Sequence, residues 1–145
     1  MIDLKNIRAP FISPQDSWEK AEKIRGLYWP TKSVPIDPEL IAHKMGLRID
    51  PIHSIRADAD IDAYISSDFR KIIVDYDQYM DDRQQNRMRF SIAHELGHYV
   101  LHKDFYISLE IKTGEDWIRF RQEIPDNTYT FLENHAHEFA GRLLV

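Results

Sequence analysis

A single long helix, predicted over residues 81–103, constrains this chain more than any other segment. Its sequence, DDRQQNRMRFSIAHELGHYVLHK, begins with Asp81, which can cap the helix, and Gln84 follows three residues later as a capping-box partner. A helix that is apolar on nearly all sides lies in the interior of a domain, so the other segments must pack around this one. Its apolar residues are Met88, Phe90, Ile92, Ala93, Leu96, Val100 and Leu101.

The same helix carries His94, Glu95 and His98, which together form the pattern H-E-x-x-H. Residues four apart lie one turn apart, about 6 Å along the axis, so both imidazoles can reach one ion at Zn–N distances of about 2.0–2.1 Å. Glu95 points about 100° away from His94 around the axis, beside such an ion, where its carboxylate can accept a proton from water. The motif therefore predicts a metal site with Glu95 as general base.

The pattern also arises by chance on helices that bind no metal, but two features of this helix favour a site. Two histidines and a glutamate in a buried helix are costly unless something compensates them. Gly97 costs about 1 kcal/mol in a helix interior, so it indicates close approach by backbone or substrate. His102 lies about 12 Å from His94 along the axis, too far to share an ion. We expect His102 to bond carbonyls at the helix end or to support a ligand.

The third ligand must be a histidine or a carboxylate, because the chain has no cysteine. A ligand on a rigid helix is better placed than one on a loop, which favours the last predicted helix, residues 130–145. Glu133 is the leading candidate, with His137 one turn further as its orienting partner. Thr130 also fits a capping box with Glu133, which would leave His137 or His135 as the ligand. The remaining candidates are Glu110, Glu115, Asp116, Glu123, Asp126 and Glu138.

Helices are also predicted at the two ends of the chain. Residues 13–30 and 35–46 each have a proline suited to the first turn and a glycine suited to the end of a helix. The chain ends in RLLV without a helix stop signal, so we expect the native protein to continue past Val145. The last helix, residues 130–145, has apolar side chains at helical spacing: Leu132, Ala136, Phe139, Ala140 and Leu143.

Strands are predicted in two parts of the chain. Residues 47–52 form a short strand, and residues 61–66 and 71–76 form a hairpin, because the four residues SDFR between them match a hairpin loop. Residues 105–111, FYISLEI, alternate strictly between apolar and other side chains and predict a further strand. Residues 112–129 are interpreted as a loop with one short element.

Composition limits the classes of protein that remain. With 145 residues, the chain is expected to form one domain, residues 1–145. A net charge of −5 argues against bulk nucleic-acid binding, and RQQNRMR, residues 83–89, is the one basic cluster. The N-terminus has no run suited to a signal peptide and no segment has membrane-spanning length, so we expect a cytoplasmic protein.

Two segments together resemble the ImmA/IrrE metallopeptidase family: RFSIAHELGHYVLH, residues 89–102, and ENHAHEFAGRLLV, residues 133–145. PIDPELIAHKMGLRI and IDAYISSDFRKIIVD match the short helix and strands that precede the motif in that family, so the resemblance spans residues 17–145. It implies an α+β fold, a small zincin-like domain of the gluzincin type. A short twisted sheet would pack against the central H-E-x-x-H helix, with helices at both ends of the chain.

The resemblance also implies that zinc is held by His94, His98 and Glu133, because Glu133 aligns with the glutamate of the family pattern E-x-x-A-N/D-x-F-A. Members of that family are cytoplasmic proteases that cut helix-turn-helix repressors and so release stress or mobile-element genes. A repressor of this kind is therefore the expected partner. Two positions depart from the family: His137 replaces Asn or Asp and could compete for the metal, and His135 replaces Glu or Gln.

The expected reaction is hydrolysis of a peptide bond, with Glu95 moving the proton and the substrate adding to an edge of the 61–76 hairpin. Arg89 is expected to hold substrate or to pair with Asp81, Asp82 or a strand aspartate. A zinc-containing module that sequesters a repressor or a toxin–antitoxin partner without cleavage, and an unrelated hydrolase, are the alternatives. Candidates for stabilising the oxyanion are Tyr99, Tyr129, His135 and His137, and candidates for a rim over the cleft are Trp117 and Phe120.

Overall fold

The structure, a computed structural model, describes residues 3–31, 33–53 and 63–145. Within these ranges the chain forms six α-helices, one 3-10 turn and a three-stranded sheet, which confirms the predicted α+β class. No helix among the described residues combines the length and apolar character needed to cross a lipid bilayer. In chain order the elements are α1 (Pro14–Tyr28), α2 (Pro38–Lys44), β1 (Arg48–Ile52), β2 (Ala63–Ile65), β3 (Lys71–Asp75), α3 (Tyr76–Tyr79), the 3-10 turn (Asp82–Gln84), α4 (Gln85–Ser108), α5 (Gly114–Glu123) and α6 (Asp126–Leu144).

Helix α4 is the predicted central helix, and it is buried along most of its length. Its start differs from the prediction, because Asp81 caps the 3-10 turn by accepting a hydrogen bond from the backbone N–H of Arg83 at 3.0 Å. The side chain of Gln84 donates to the Asp81 carboxylate at 3.0 Å. The helix proper therefore starts at Gln85, four residues later than predicted.

The predicted strand over residues 105–111 is wrong, because α4 continues to Ser108. Tyr106 and Leu109 are buried and lie three residues apart, which is the spacing of one helix face. Ile107, which a strand would have buried alongside Phe105, is 52% exposed. Glu110 then adopts a φ of 59°, in the left-handed region, and turns the chain away from the helix axis.

Most of the predicted loop over residues 112–129 is helical. Thr113 and Asp116 form a capping box: the Thr113 hydroxyl accepts from the Asp116 backbone at 3.1 Å, and the Asp116 carboxylate accepts from the Thr113 backbone at 3.2 Å. Helix α6 begins at Asp126, four residues earlier than predicted, so Thr130 lies inside the helix and cannot cap it. This excludes the capping-box interpretation of Glu133.

The sheet has the order β1-β3-β2. β2 pairs antiparallel with β3, which confirms the hairpin, while β1 pairs parallel with β3. Residues 61 and 62 of the predicted strand lie outside the described residues. Within the described chain β2 is therefore an edge strand, and it lies against α4 on the side that carries the histidines.

Helices α4 and α6 pack against each other over most of their length, and the apolar face of α6 is buried as predicted. The two backbones come closest at Gly97. A Cβ atom there would lie 3.1 Å from the Cα and 3.2 Å from the carbonyl oxygen of Ala136, and 3.2 Å from the Cβ of Phe139. The glycine therefore permits the close approach of backbone that its presence predicted.

Replacing Gly97 by alanine should destabilise the protein, because the new methyl group meets backbone atoms that cannot rotate away. We expect the free energy of unfolding, measured with urea, to fall by about 1–3 kcal/mol. Gly141→Ala is the matched control on α6, where a Cβ meets nothing within 4 Å and helix propensity alone should act. Equal stabilities for the two variants would contradict the close contact.

Candidate metal centre

Helices α4 and α6 bring the donor atoms of His94, His98 and Glu133 together. The Nε2 atoms of His94 and His98 are 3.1 Å apart, and they lie 2.8 Å and 3.1 Å from the two carboxylate oxygens of Glu133. In a tetrahedral site with bonds of about 2.0–2.1 Å, two ligand atoms are separated by about 3.3–3.4 Å. The three side chains therefore fit a single zinc ion after displacements of a few tenths of an ångström.

The electrostatics of the cluster also suit a cation. Burial raises the pKa of Glu133, but hydrogen bonds from His94 and His98 outweigh burial and hold that pKa well below its usual value. Burial lowers the pKa of His98, yet its hydrogen bond to Glu133 and the negative charges of Glu95 and Glu133 raise it overall. A negatively charged carboxylate thus faces the ring nitrogens of two histidines, and this set of donors suits a cation.

Glu95 projects beside this cluster, and its carboxylate lies within 4.8 Å of donor atoms of both histidines of the motif. Burial raises its pKa, opposed by the charges of His98 and His94, and the backbone N–H of Ile65 donates a hydrogen bond to it. A carboxylate with a raised pKa accepts a proton more readily than an ordinary glutamate. The contact between Ile65, on the edge strand, and Glu95 could not be predicted from the sequence, because a backbone N–H is the same at every position of β2.

The second ring nitrogen of His94 is held by the exposed His137, whose Nδ1 lies 2.9 Å from Nδ1 of His94. When Nε2 of His94 acts as a ligand, its Nδ1 carries the hydrogen and donates to His137, which must then carry its own hydrogen on Nε2. His137 therefore occupies the orienting position that the sequence suggested: it contacts the His94 nitrogen that faces away from Glu133.

His98 is held from behind in a similar way, by Tyr106 and a pair of buried histidines. Its Nδ1 lies 3.2 Å from the Tyr106 hydroxyl and 3.0 Å from Nδ1 of His102, whose Nε2 lies 3.0 Å from Nδ1 of His135. Burial, together with the charges of His98 and His135, lowers the pKa of His102 to about 2, so this ring is neutral. Donation then runs in one direction, from His98 through His102 to His135.

This arrangement places His102 and His135 behind His98. His102 supports His98 and does not bond terminal carbonyls, since α4 extends beyond it to Ser108. His135 contacts His102 and lies away from the ligand cluster. Tyr106 could not be recognised, because residues 105–111 were interpreted as a strand that would have turned it elsewhere.

Several carboxylates that competed for the third position have other partners. Glu138 accepts a hydrogen bond from the indole of Trp18 at 2.7 Å, and Asp116 caps α5. Glu123 forms an ion pair with Arg119 one turn earlier on α5. Glu133 is thus the candidate that the fold brings to the two histidines.

The structure gives Arg89 a partner that the sequence did not suggest. Its guanidinium donates to the backbone carbonyl of Ile36 at 2.8 Å and 3.2 Å, and so fastens the segment before α2 to the central helix. Asp81, one of its expected partners, pairs with Arg83. A carbonyl 53 residues away leaves no mark in the local sequence.

A cleft of about 1280 Å³ opens over the cluster, between β2, α4, α5 and α6. Four residues were candidates for stabilising the oxyanion. Tyr129 and His137 are among the described residues that line this cleft, and Tyr99 and His135 are not. Trp117 and Phe120, the candidates for a rim, both pack on Tyr106, with ring centroids 4.9 Å and 5.6 Å from its own. They therefore line the cleft and also contribute to the hydrophobic packing beneath it. The described lining residues are Ala63, Tyr64, Ile65, Arg87, Phe90, Ser91, His94, Glu95, His98, Tyr106, Trp117, Ile118, Phe120, Arg121, Gln122, Tyr129, Glu133 and His137.

Replacing Glu133 by alanine should weaken zinc binding by at least about 100-fold, because it removes one of three ligands and the negative charge between the imidazoles. Glu138→Ala, on the same helix and outside the cluster, should leave zinc affinity within about threefold of the unmodified protein. Competition with a zinc chelator measures both affinities. Equal affinities in the two variants would exclude Glu133 as a ligand.

Comparison with known proteins places these residues in a family. A search of curated proteins and a search of solved structures returned no significant match. A family model described as the IrrE N-terminal-like domain, which represents a peptidase family, matches residues 67–145. The match covers more than half of the chain and contains His94, Glu95, His98 and Glu133, which confirms the resemblance seen in the sequence. The chain therefore belongs to the IrrE N-terminal-like family of metallopeptidases.

Proposed function

We propose that the protein is a zinc-dependent endopeptidase. The observation that carries this proposal is the convergence of His94, His98 and Glu133 at the floor of an open cleft, with Glu95 beside them. Three protein ligands leave one position of a tetrahedral site open, which is the arrangement of catalytic zinc and differs from the closed, four-ligand structural site. The edge strand β2 lines the same cleft, so an extended peptide could pair with the strand while it lies over the cluster.

The reaction adds water across the peptide bond. Zinc, when bound, supplies a Lewis acid that polarises the scissile carbonyl and lowers the pKa of water. Glu95 takes a proton from the attacking water as its oxygen bonds to the carbonyl carbon, and returns that proton to the amine nitrogen as the C–N bond breaks. The Ile65 N–H stabilises the charged form of the Glu95 carboxylate. Tyr129 and His137 line the same cleft and are the remaining donors for the oxyanion.

The edge strand β2 gives the substrate a template. The Ser66 N–H donates to the Lys71 carbonyl at 2.9 Å, and the backbone N–H and C=O groups point to alternate sides along a strand. The backbone groups of Tyr64 therefore also point toward β3, while those of Ala63 and Ile65 point toward the open edge. The Ile65 N–H is taken by Glu95, which leaves the Ala63 N–H and the Ile65 carbonyl for a substrate backbone.

Replacing Ala63 by proline removes that N–H while keeping a backbone conformation that an edge strand accepts. We expect kcat/KM for a peptide substrate to fall about fivefold or more, in line with the loss of one backbone hydrogen bond, and the free energy of unfolding to change little. Ala63→Ser, which keeps the N–H, is the control. Unchanged turnover in the proline variant would remove the strand template from the proposal.

The partner that we propose is a helix-turn-helix repressor, cut in the cytoplasm to release genes of a stress or mobile-element response. Support for this partner comes from the resemblance of the motif segments to the ImmA/IrrE metallopeptidases. A zinc-containing module that sequesters the same repressor without cutting it remains the alternative. The complete set of Glu95 and three ligands favours the enzyme, because sequestration needs no general base.

Glu95→Gln separates these two functions, since glutamine cannot accept the proton but keeps the shape of the side chain. We expect this variant to bind zinc within about threefold of normal and to lose at least about a hundredfold in peptide hydrolysis. Chelator competition and mass spectrometry of cleaved peptides provide the two measurements. If the variant still relieves repression by a cognate repressor in cells, binding and not proteolysis is the function.

A further inference from the structure

The cleft carries a cation that neither the fold nor the proposed proton transfer uses. Among the described lining residues, the charged side chains other than Glu95 and Glu133 are Arg87 and Arg121. Arg121, on α5, lies over the ring of Tyr129 with its guanidinium carbon 3.7 Å from the ring centroid. Within the described part of the chain, no carboxylate lies within ion-pair distance of Arg121.

The neighbouring arginine shows the contrast. Arg119 lies on the same helix, forms an ion pair with Glu123, and does not line the cleft. The charge of Arg119 is therefore compensated within α5, while that of Arg121 is directed to the cleft and held in place by the aromatic face of Tyr129. A guanidinium fixed in this way keeps free donors for a carboxylate.

The position of Tyr129 fixes how far this cation lies from the reaction. Tyr129 and Glu133 are four residues apart on α6, so they project from one side about 6 Å apart along the axis. An extended peptide advances about 3.3 Å per residue. A side chain that meets Arg121 therefore belongs to a residue about two or three positions from the scissile bond.

Apolar surface accompanies the cation. Ile118 lies three residues before Arg121 on α5, is 60% exposed and lines the cleft. Tyr64, on the edge strand, is 38% exposed and also lines it. Apolar groups that remain exposed beside an uncompensated cation fit a ligand that is both apolar and acidic.

We infer that Arg121 makes the cleft select extended peptides with an acidic side chain two or three residues from the cleaved bond and apolar side chains beside it. This inference rests on the proposed function and names the substrate class of the same site. Arg121 is a specificity residue: it binds the substrate away from the reacting atoms, so its loss should raise KM and leave kcat nearly unchanged.

The test uses peptides blocked at both ends, built on leucine and alanine, with one glutamate moved along the sequence. Matched sets carry glutamine or lysine at the same position. With the zinc-loaded protein we expect the glutamate peptides to exceed the glutamine peptides by about three- to tenfold in kcat/KM at their best position, and by less at high salt. Arg121→Gln should abolish this preference, Arg121→Lys should keep part of it, and Arg121→Glu should shift it to lysine.

Arg119→Gln is the matched control on the same helix, and it should keep the preference for glutamate. A further set of peptides carries glutamine and a free C-terminal carboxylate. If their kcat/KM exceeds that of the glutamate peptides, Arg121 binds the C-terminus of a chain and not an acidic side chain, and the inference is overturned. Equal rates for glutamate, glutamine and lysine peptides would also overturn it, while leaving the proposed endopeptidase intact.

Binding separates the two claims. The same peptides, labelled with a fluorophore, are titrated against the zinc-loaded Glu95→Gln protein and followed by anisotropy. If no peptide is cut by the unmodified protein but glutamate peptides bind preferentially through Arg121, the proposed hydrolysis fails, while the preference of the cleft for acidic peptides stands. Equal affinities for the three peptide sets would sink the inference whatever the result for cleavage.

Discussion

Gly97 lets the backbones of α4 and α6 meet where any side chain would separate them, and the rest of the structure depends on this contact. Ala136, which it touches, lies one turn after Glu133 on α6, and Gly97 lies between His94 and His98 on α4. The position that looks costly in a helix is thus the one that sets the distance between the two imidazoles and their carboxylate. A separation larger by one methyl group would exceed the few tenths of an ångström that the ligand geometry tolerates.

The polar groups around the cluster form a connected set that explains why they can be buried. Each ring nitrogen of His94 and His98 that faces away from Glu133 has a hydrogen-bond partner, and His102 in turn contacts His135. Buried polar groups are stable when all of them are paired, and such networks fix a single arrangement of rings. The rings of His94 and His98 are therefore already oriented toward Glu133 without a metal, which would reduce the ordering that the proposed zinc binding requires.

The sequence was most informative where the relevant information is local. The apolar pattern of α4 and α6 and the spacing of His94 and His98 depend on neighbours within a turn or two, and these elements were predicted. The prediction of a strand over residues 105–111 was wrong because the same apolar pattern is compatible with a helix that buries Tyr106 and Leu109 on one face. The predicted capping box at the start of α4 was wrong because a 3-10 turn precedes the helix, and no local sequence pattern distinguishes such a turn from the first turn of an α-helix.

The contacts that the sequence could not supply all join distant segments. Arg89 meets a carbonyl of Ile36, and Glu95 meets the N–H of Ile65; backbone groups are the same at every position and leave no trace in composition. Glu133 could be ranked from its helix but not chosen, because the choice depended on where α6 crosses α4. Tertiary packing made that choice, by placing Glu133 within 3.1 Å of both histidines and His135 behind them.

X-ray absorption spectroscopy of the zinc-loaded protein tests the central claim most directly, because it counts imidazole ligands and measures their distances. The account predicts two imidazoles at about 2.0–2.1 Å, with oxygen from Glu133 and water completing a four-coordinate site. A spectrum with three imidazoles, in which His137 or His135 takes the place of the carboxylate, would contradict it.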